Sequence, residues 1–212
     1  MFFYIAAAVV TLLAVAAGGW VLVVNNVEQP VYEVVQHDGP VEVRRYPALV
    51  VAEVKCGGAR REAVSAGFRP LASYIFAKDR AGASISMTAP VTQKREKIAM
   101  TAPVTQMRVE EGGSESWIVN FIMPSEYKLE DLPQPAKKDV TLKELPASRR
   151  AAIKFSGVAT DELIAEKETR LIQWISEKGF KAVGNPIYAY YNDPFTPGPL
   201  RRNEVMLYLA DD

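Results

Sequence analysis

The strongest constraint on this chain is a faint internal repeat at an offset of 99 residues. Tyr46-Pro47-Ala48, then residues 50–55 and Gly57-Gly58, aligns with Leu145-Pro146-Ala147, then residues 150–154 and Gly157. A helical pattern follows each time. In the first copy Val64, Phe68, Leu71 and Ile75 recur at spacings of four, three and four, with Pro70 expected to kink the helix and Gly67 to absorb the bend. In the second, Thr160 is placed as an N-cap, Leu163, Ile164, Leu171, Ile172, Trp174 and Ile175 supply the apolar positions, and Gly179 marks the stop. Strand-like runs close both copies, at 117–123 and 204–209, and a Pro-rich stretch at 131–138 joins them. A β-α-β-β unit written twice predicts one α+β domain with pseudo-twofold symmetry over about residues 31–210, its halves about 31–130 and 139–210.

A second repeat is shorter and plainer. Ile85-Ser86-Met87-Thr88-Ala89-Pro90-Val91-Thr92-Gln93 returns as Ile98-Ala99-Met100-Thr101-Ala102-Pro103-Val104-Thr105-Gln106. The β-branched residues and the Pro in each copy predict an extended edge strand or the lead-in to a strand, and two copies are too few for a solenoid.

Ahead of the domain, residues 2–24 carry no charge and only Thr11, Gly18 and Gly19 interrupt the apolar run. As a helix it would be about 34 Å long, enough to cross a bilayer. The expectation is a transmembrane anchor over 1–27, followed by a tethered domain over 28–212. The alternatives are a secretory signal cleaved after Ala14-Val15-Ala16, which lacks the usual preceding basic residues, and a buried helix, which the all-round apolar character disfavours. Arg44 and Arg45, the nearest basic residues, orient such an anchor only weakly.

The chemistry legible in the rest is sparse. Twenty-five basic against 25 acidic residues leave a formal net charge of zero, which removes the bulk electrostatic argument for nucleic acid. One Cys and one His exclude a disulfide framework and a cysteine or histidine metal cage. His37 lies in the polar stretch 36–40 and reads as a solvated turn residue, and Cys56 reads as a small packed side chain. No nucleophile elbow and no phosphate loop occurs. The apolar positions are more suggestive. Val64, Leu71 and Ile75 form one stripe of the first helix, while Phe68, Ala72 and Phe76 form a neighbouring one. That second stripe either joins the core or is left to line a pocket or meet a partner. Later, Phe195 sits in a Pro-stiffened loop ahead of Arg201-Arg202-Asn203-Glu204, where Arg201 either meets a ligand carboxylate or ties the loop down.

Five ordered motifs then carry a resemblance: Val41-Glu42-Val43-Arg44-Arg45-Tyr46; Gly67-Phe68-Arg69-Pro70-Leu71-Ala72-Ser73-Tyr74-Ile75; Lys97-Ile98-Ala99-Met100-Thr101-Ala102-Pro103-Val104; Phe155-Ser156-Gly157; and Arg201-Arg202-Asn203-Glu204-Val205. Over about residues 31–209 the chain resembles the SOUL haem-binding protein family. The resemblance implies a distorted β-barrel with two helices, and binding of haem or a related tetrapyrrole in an apolar cleft without catalysis. It implies a site at Ser65, Phe68, Arg69, Ala72 and Phe76 on the first helix, with Phe195 and Arg201 from the later loop. Some members carry a His before the Tyr of the first motif; this chain has Arg45, so haem would be held without His ligation. Met87, Met100 and Met107 read as packing residues rather than iron ligands. The doubled M-T-A-P-V departs from members with one copy. The leading expectation is thus a membrane-tethered, non-enzymatic tetrapyrrole-binding domain. A structural or protein-interaction module that has lost haem is the alternative, and an enzyme acting on tetrapyrroles is a weaker third.

Overall fold

A computed structural model describes residues 27–78, 97–111 and 114–210. The apolar run at 2–24 and the first M-T-A-P-V copy, with Met87, lie outside the described residues. Among the described residues no helix is long and apolar enough to cross a membrane.

Among the described residues nine strands and two α-helices follow one another along the chain. They are β1 (Glu33–Asp38), β2 (Val41–Tyr46), β3 (Leu49–Gly57), α1 (Arg60–Ile75), β4 (Val104–Glu111), β5 (Ser114–Ile122), β6 (Thr141–Leu145), β7 (Ser148–Phe155), α2 (Asp161–Glu177), β8 (Ala182–Tyr190) and β9 (Asn203–Leu209). All the strands belong to one sheet in the order β1-β2-β7-β9-β8-β4-β5-β3-β6, and every pairing is antiparallel. With β1 set aside the order is a palindrome under the exchange of β2 with β6, β3 with β7, β4 with β8 and β5 with β9. The pseudo-twofold axis therefore passes between β4 and β8. The halves also trade a strand, since β2 pairs with β7 and β6 pairs with β3.

Two short links force the sheet to curl. Only Pro47 and Ala48 separate β2 from β3, and only Pro146 and Ala147 separate β6 from β7, yet each pair lies six places apart in the sheet. A flat sheet would separate them by about 29 Å, whereas two linking residues reach about 11 Å. The sheet must bend back on itself. It does not close, however, and this corrects the expected barrel. Strand β1, which stands outside the repeat, takes the free edge of β2 that closure would need, and β6 ends the other side.

Both helices cover one face, α1 over β3 and β5, α2 over β7, β8 and β9. One apolar cluster lies under each. A third, with Leu49, Val51, Ile122, Ala152 and Ile187, fills the opposite, concave face. Helix α2 starts as expected, with the Thr160 hydroxyl accepting from the Leu163 N–H at 3.2 Å and Asp161 and Glu162 complementing the dipole. Gly179, at φ 76°, follows its end in the left-handed conformation. Ile172, expected in its apolar face, is exposed.

Helix α1 runs without interruption through Pro70, and Gly67 has another role than absorbing a bend. A Cβ there would lie 2.7 Å from Val119 Cβ and 3.2 Å from Cys56 Sγ, so glycine permits close approach of α1 to the sheet. The second M-T-A-P-V copy leads into β4, burying Ile98 and Ala102, while the Thr101 hydroxyl donates to the Ile122 carbonyl.

Candidate functional site

The core stripe of α1 is Ala63, Gly67, Leu71, Tyr74 and Ile75. Phe68, Ala72 and Phe76 stand on its flank, which answers the question of the second stripe. Phe68 is 41% exposed and lies edge-on to Phe121, ring centroids 5.2 Å apart. Ala72 and Phe76 are half-buried. Lys78 Nζ stands 5.8 Å from the Phe76 ring centroid. Ser65 and Arg69 are exposed beside them, although the Ser65 hydroxyl is used within the helix, donating to the Arg61 carbonyl at 3.0 Å. These five positions make one surface: an aromatic and methyl platform with a guanidinium at its margin.

Phe195 and Arg201 form a separate patch in the loop between β8 and β9. Phe195 is 77% exposed. Asp193 braces the turn beneath it by accepting from the N–H groups of Phe195 at 2.7 Å and Thr196 at 3.0 Å. Burial pushes the Asp193 carboxyl up, but those N–H groups and the Thr196 hydroxyl outweigh it and hold it below the usual range. Arg201 donates to the carbonyls of Thr196 at 2.7 Å and Pro194 at 2.6 Å, so its guanidinium is spent on the loop rather than held free for a ligand. The loop in turn rests on the end of β7, through a Gly157 N–H to Gly198 carbonyl bond of 3.0 Å and an Asn203 amide donating to the Gly157 carbonyl at 2.9 Å. Among the described residues no hydrogen bond or ring contact joins this patch to positions 65–76.

The two helices are joined at their starts by a residue whose role the sequence pattern does not by itself reveal. Arg60, at the start of α1, donates to Asp161 Oδ1 at 2.7 Å, to the Tyr190 hydroxyl at 2.5 Å and to the Ala159 carbonyl at 3.0 Å. Gln106 reaches the Arg60 carbonyl at 2.8 Å. The beginnings of both helices are thereby clamped across the pseudo-twofold axis. Arg60 and Asp161 open the helices of the two halves, and that correspondence was the available signal.

Two of the sequence motifs meet in one buried cluster. Arg44 forms a two-pronged pair with Glu204, at 2.7 and 2.9 Å, with both side chains fully buried. Glu204 also accepts from Arg202 at 2.7 Å and from the Tyr191 hydroxyl at 2.8 Å. Burial alone would raise the Glu204 carboxyl, but the two arginines hold it below its ordinary value. Burial beside Glu204 pushes the Tyr191 phenol up. This cluster pins β2 to β9 from the concave face and seats the residues that follow the loop. The Arg201-Arg202-Asn203-Glu204 run is thus a loop and sheet anchor throughout.

His37 is exposed at the far end of β1, next to Asp38, which binds Trp174 and Lys178 at the end of α2. It is not on α1 or the loop. Cys56 is half-buried against α1, where burial raises its thiol. Met107 packs on the concave cluster and Met100 is exposed. The α1 surface therefore fits the ring contacts and one carboxylate contact of a tetrapyrrole, and the chain's one imidazole stands apart from it.

Comparison with known proteins follows the same line. No curated protein matches the chain. The fold is shared with the EcmrR C-terminal domain, at TM-score 0.56 and 11% identity over 86% of this chain and 99% of that one. It is shared too with a hydrolase from Listeria innocua, at TM-score 0.53 and 12% identity over 83% and 94%. An uncharacterized conserved protein from Listeria innocua gives TM-score 0.54 and 14% identity over 80% and 92%. At these identities the likeness is one of fold. The family model described as SOUL heme-binding protein matches residues 27–208, and the chain belongs to that family.

Proposed function

We propose that the protein binds haem or a related tetrapyrrole and performs no chemistry on it, with the run at 2–24 tethering the domain to a membrane. Membership of the SOUL heme-binding protein family over residues 27–208 carries this reading. The α1 flank supports it. Phe68 and Phe76 offer ring contacts, Ala72 lets the macrocycle approach, and Arg69 pairs with a carboxylate at the rim beside Ser65. Arg201 acts at one remove, by holding the loop that presents Phe195. Affinity comes from burying aromatic surface rather than from an iron–imidazole bond.

The test is a titration of the full chain in detergent micelles with haem and with iron-free protoporphyrin, read by Trp fluorescence and by the porphyrin absorption band. Saturable one-to-one binding of both is expected. Phe68→Asp and Phe195→Asp should each weaken it by about tenfold, the equivalent of one aromatic contact. Quenching no stronger than that of an unrelated protein in the same micelles would remove the reading, and strict dependence on iron would require an axial ligand other than His37.

One observation favours a second reading. Phe195, Leu200 and Val158 are exposed apolar side chains on adjoining loops, with Gly198 against Val158. Such a patch also suits a protein partner. A crosslinked partner lost on Phe195→Asp, from a chain indifferent to porphyrin, identifies an interaction module instead.

A further inference from the structure

The concave face holds a polar cavity that the tetrapyrrole reading does not use. It is about 50 Å³ in volume and is lined from strands of both halves, which the curl of the sheet brings opposite one another. Val51, Ile122 and Ile187 give it aliphatic walls, and Arg150, Asn120, Thr105, Lys143 and Glu53 give it polar ones.

Arg150 is the unusual member. It is 4% exposed. Its guanidinium is clamped between the rings of Tyr46 and Tyr208, at 4.5 and 4.8 Å from their centroids, and its Nε donates to the Ser148 hydroxyl at 3.0 Å. The head group is thus fixed in place. Yet among the described residues Nη2 is buried with no hydrogen-bond partner, as are Asn120 Oδ1 and Glu53 Oε2 on the same cavity wall, the last facing the Lys143 ammonium. A buried cationic donor left unpaired is costly, and such atoms mark places where something else supplies the partner.

The neighbouring charges cannot supply it. Arg150 stands directly across from Arg44 in the β2–β7 pairing. Glu204 is engaged by Arg44 and Arg202, Glu42 by Arg44 and Lys154, and Glu53 by Lys143. Among the described residues each of these carboxylates already has its cation, and of the charged residues lining the cavity Arg150 and Lys143 stand against Glu53 alone, one positive charge in excess. A cavity of this charge and size accepts a monovalent anion, since its volume matches roughly three to four water molecules.

We propose that this cavity binds a small planar oxyanion of carboxylate type, received by Arg150 Nη2. Formate, acetate and bicarbonate have the right charge and size. Guanidinium and planar oxyanion geometries match, and the Lys143 ammonium and Thr105 hydroxyl flank the same space. The Asn120 carbonyl accepts from a protonated oxygen, which favours bicarbonate over acetate.

The test uses the full chain in micelles and needs no porphyrin. Formate, acetate, bicarbonate and hexanoate are titrated at constant ionic strength against sodium chloride, with heat of binding and melting temperature as readouts. An ion of about four heavy atoms should bind in the ~0.1–10 mM range, with bicarbonate tightest and hexanoate at least tenfold weaker. Arg150→Met should lower affinity for the small ions at least tenfold while leaving porphyrin binding unchanged. Should that variant fail to fold, Lys143→Met on the cavity margin should weaken binding several-fold, and Asn120→Asp should abolish it at neutral pH through charge repulsion. A wild-type chain that responds to formate and bicarbonate no more than to chloride holds only water there, and the proposal falls. Equal binding of hexanoate, or small-ion affinity in the Arg150→Met or Asn120→Asp variant within twofold of wild type, overturns it as well.

Discussion

Replacing Glu204 by Gln tests what joins the two halves on the concave face. The substitution keeps the shape of the side chain and removes one negative charge from a cluster in which Arg44 and Glu204 are both fully buried. Removing one partner of a buried pair costs about 3–5 kcal/mol, because the other charge is left uncompensated. Here Glu42 still touches Arg44, at 2.7 Å, so the lower end, about 3 kcal/mol, applies. For a domain of this size that corresponds to a fall in Tm of about 6–12 °C. The pH dependence has a definite sign. Burial raises the Glu204 carboxyl but Arg44 and Arg202 bring it below its ordinary 4.5. Its stabilisation is complete above that value and is lost as pH falls through the lower folded-state value. Guanidinium unfolding at neutral pH and at successive steps into acid should therefore show the wild-type advantage over Glu204→Gln shrinking below about pH 4. Arg44→Met combined with Glu204→Leu should recover a large part of either single loss, since the two fully buried charges then go together, Glu42 keeps Lys154 and Arg202 is partly exposed to solvent. A Glu204→Gln protein within about 0.5 kcal/mol of wild type at neutral pH, the range of ordinary surface substitutions, would refute the reasoning, as would a difference that persists unchanged in acid.

Gly67→Ala sets helix propensity against packing. Alanine gains about 1 kcal/mol in a helix, but a Cβ at 2.7 Å from Val119 Cβ brings an overpacking cost of about 1–3 kcal/mol. Net destabilisation is expected by urea unfolding, with faster hydrogen exchange in α1. A more stable protein would refute the close-approach account. Asp193→Ala should release the loop that presents Phe195, seen as new proteolytic cleavage within 192–200 and weaker porphyrin binding. In the wild type the same cleavage should appear as pH falls below about 4, because the Asp193 carboxyl is held below 3.8 when folded and its bracing is lost only on protonation. Arg201→Leu should reproduce the neutral-pH effect of Asp193→Ala; an unchanged loop would return Arg201 to direct ligand contact.

The reading of the second α1 stripe illustrates how far periodicity carries. The spacing of Phe68, Ala72 and Phe76 marks them as one line on a helix, and the line is there. Whether it faces core or solvent depends on how α1 is rolled on the sheet. That roll is set by Gly67, whose missing side chain lets α1 approach Val119 and Cys56, and no spacing rule contains that contact. Arg201 is a similar case. Its motif is visible in sequence, but the two loop carbonyls five and seven positions before it come within 2.7 and 2.6 Å only because the chain turns at Asp193. Ile172 fits the apolar pattern of α2 and is exposed all the same, because α2 meets the sheet along the narrower line of Ile164, Leu171 and Ile175.

From sequence alone came the α+β class, the duplication, the helix boundaries near Thr160 and Gly179, and the family, since these depend on local propensity, period and ordered motifs. Tertiary structure alone decided the rest. The halves exchange strands and curl without closing, because two-residue links span six sheet positions and β1 occupies the edge that closure would need. Arg44 finds Glu204 160 residues away, while Arg150, next to it in the sheet, finds no carboxylate among the described residues. Charge pairing across a curled sheet is a property of register and burial, and neither is written in the order of residues along one strand.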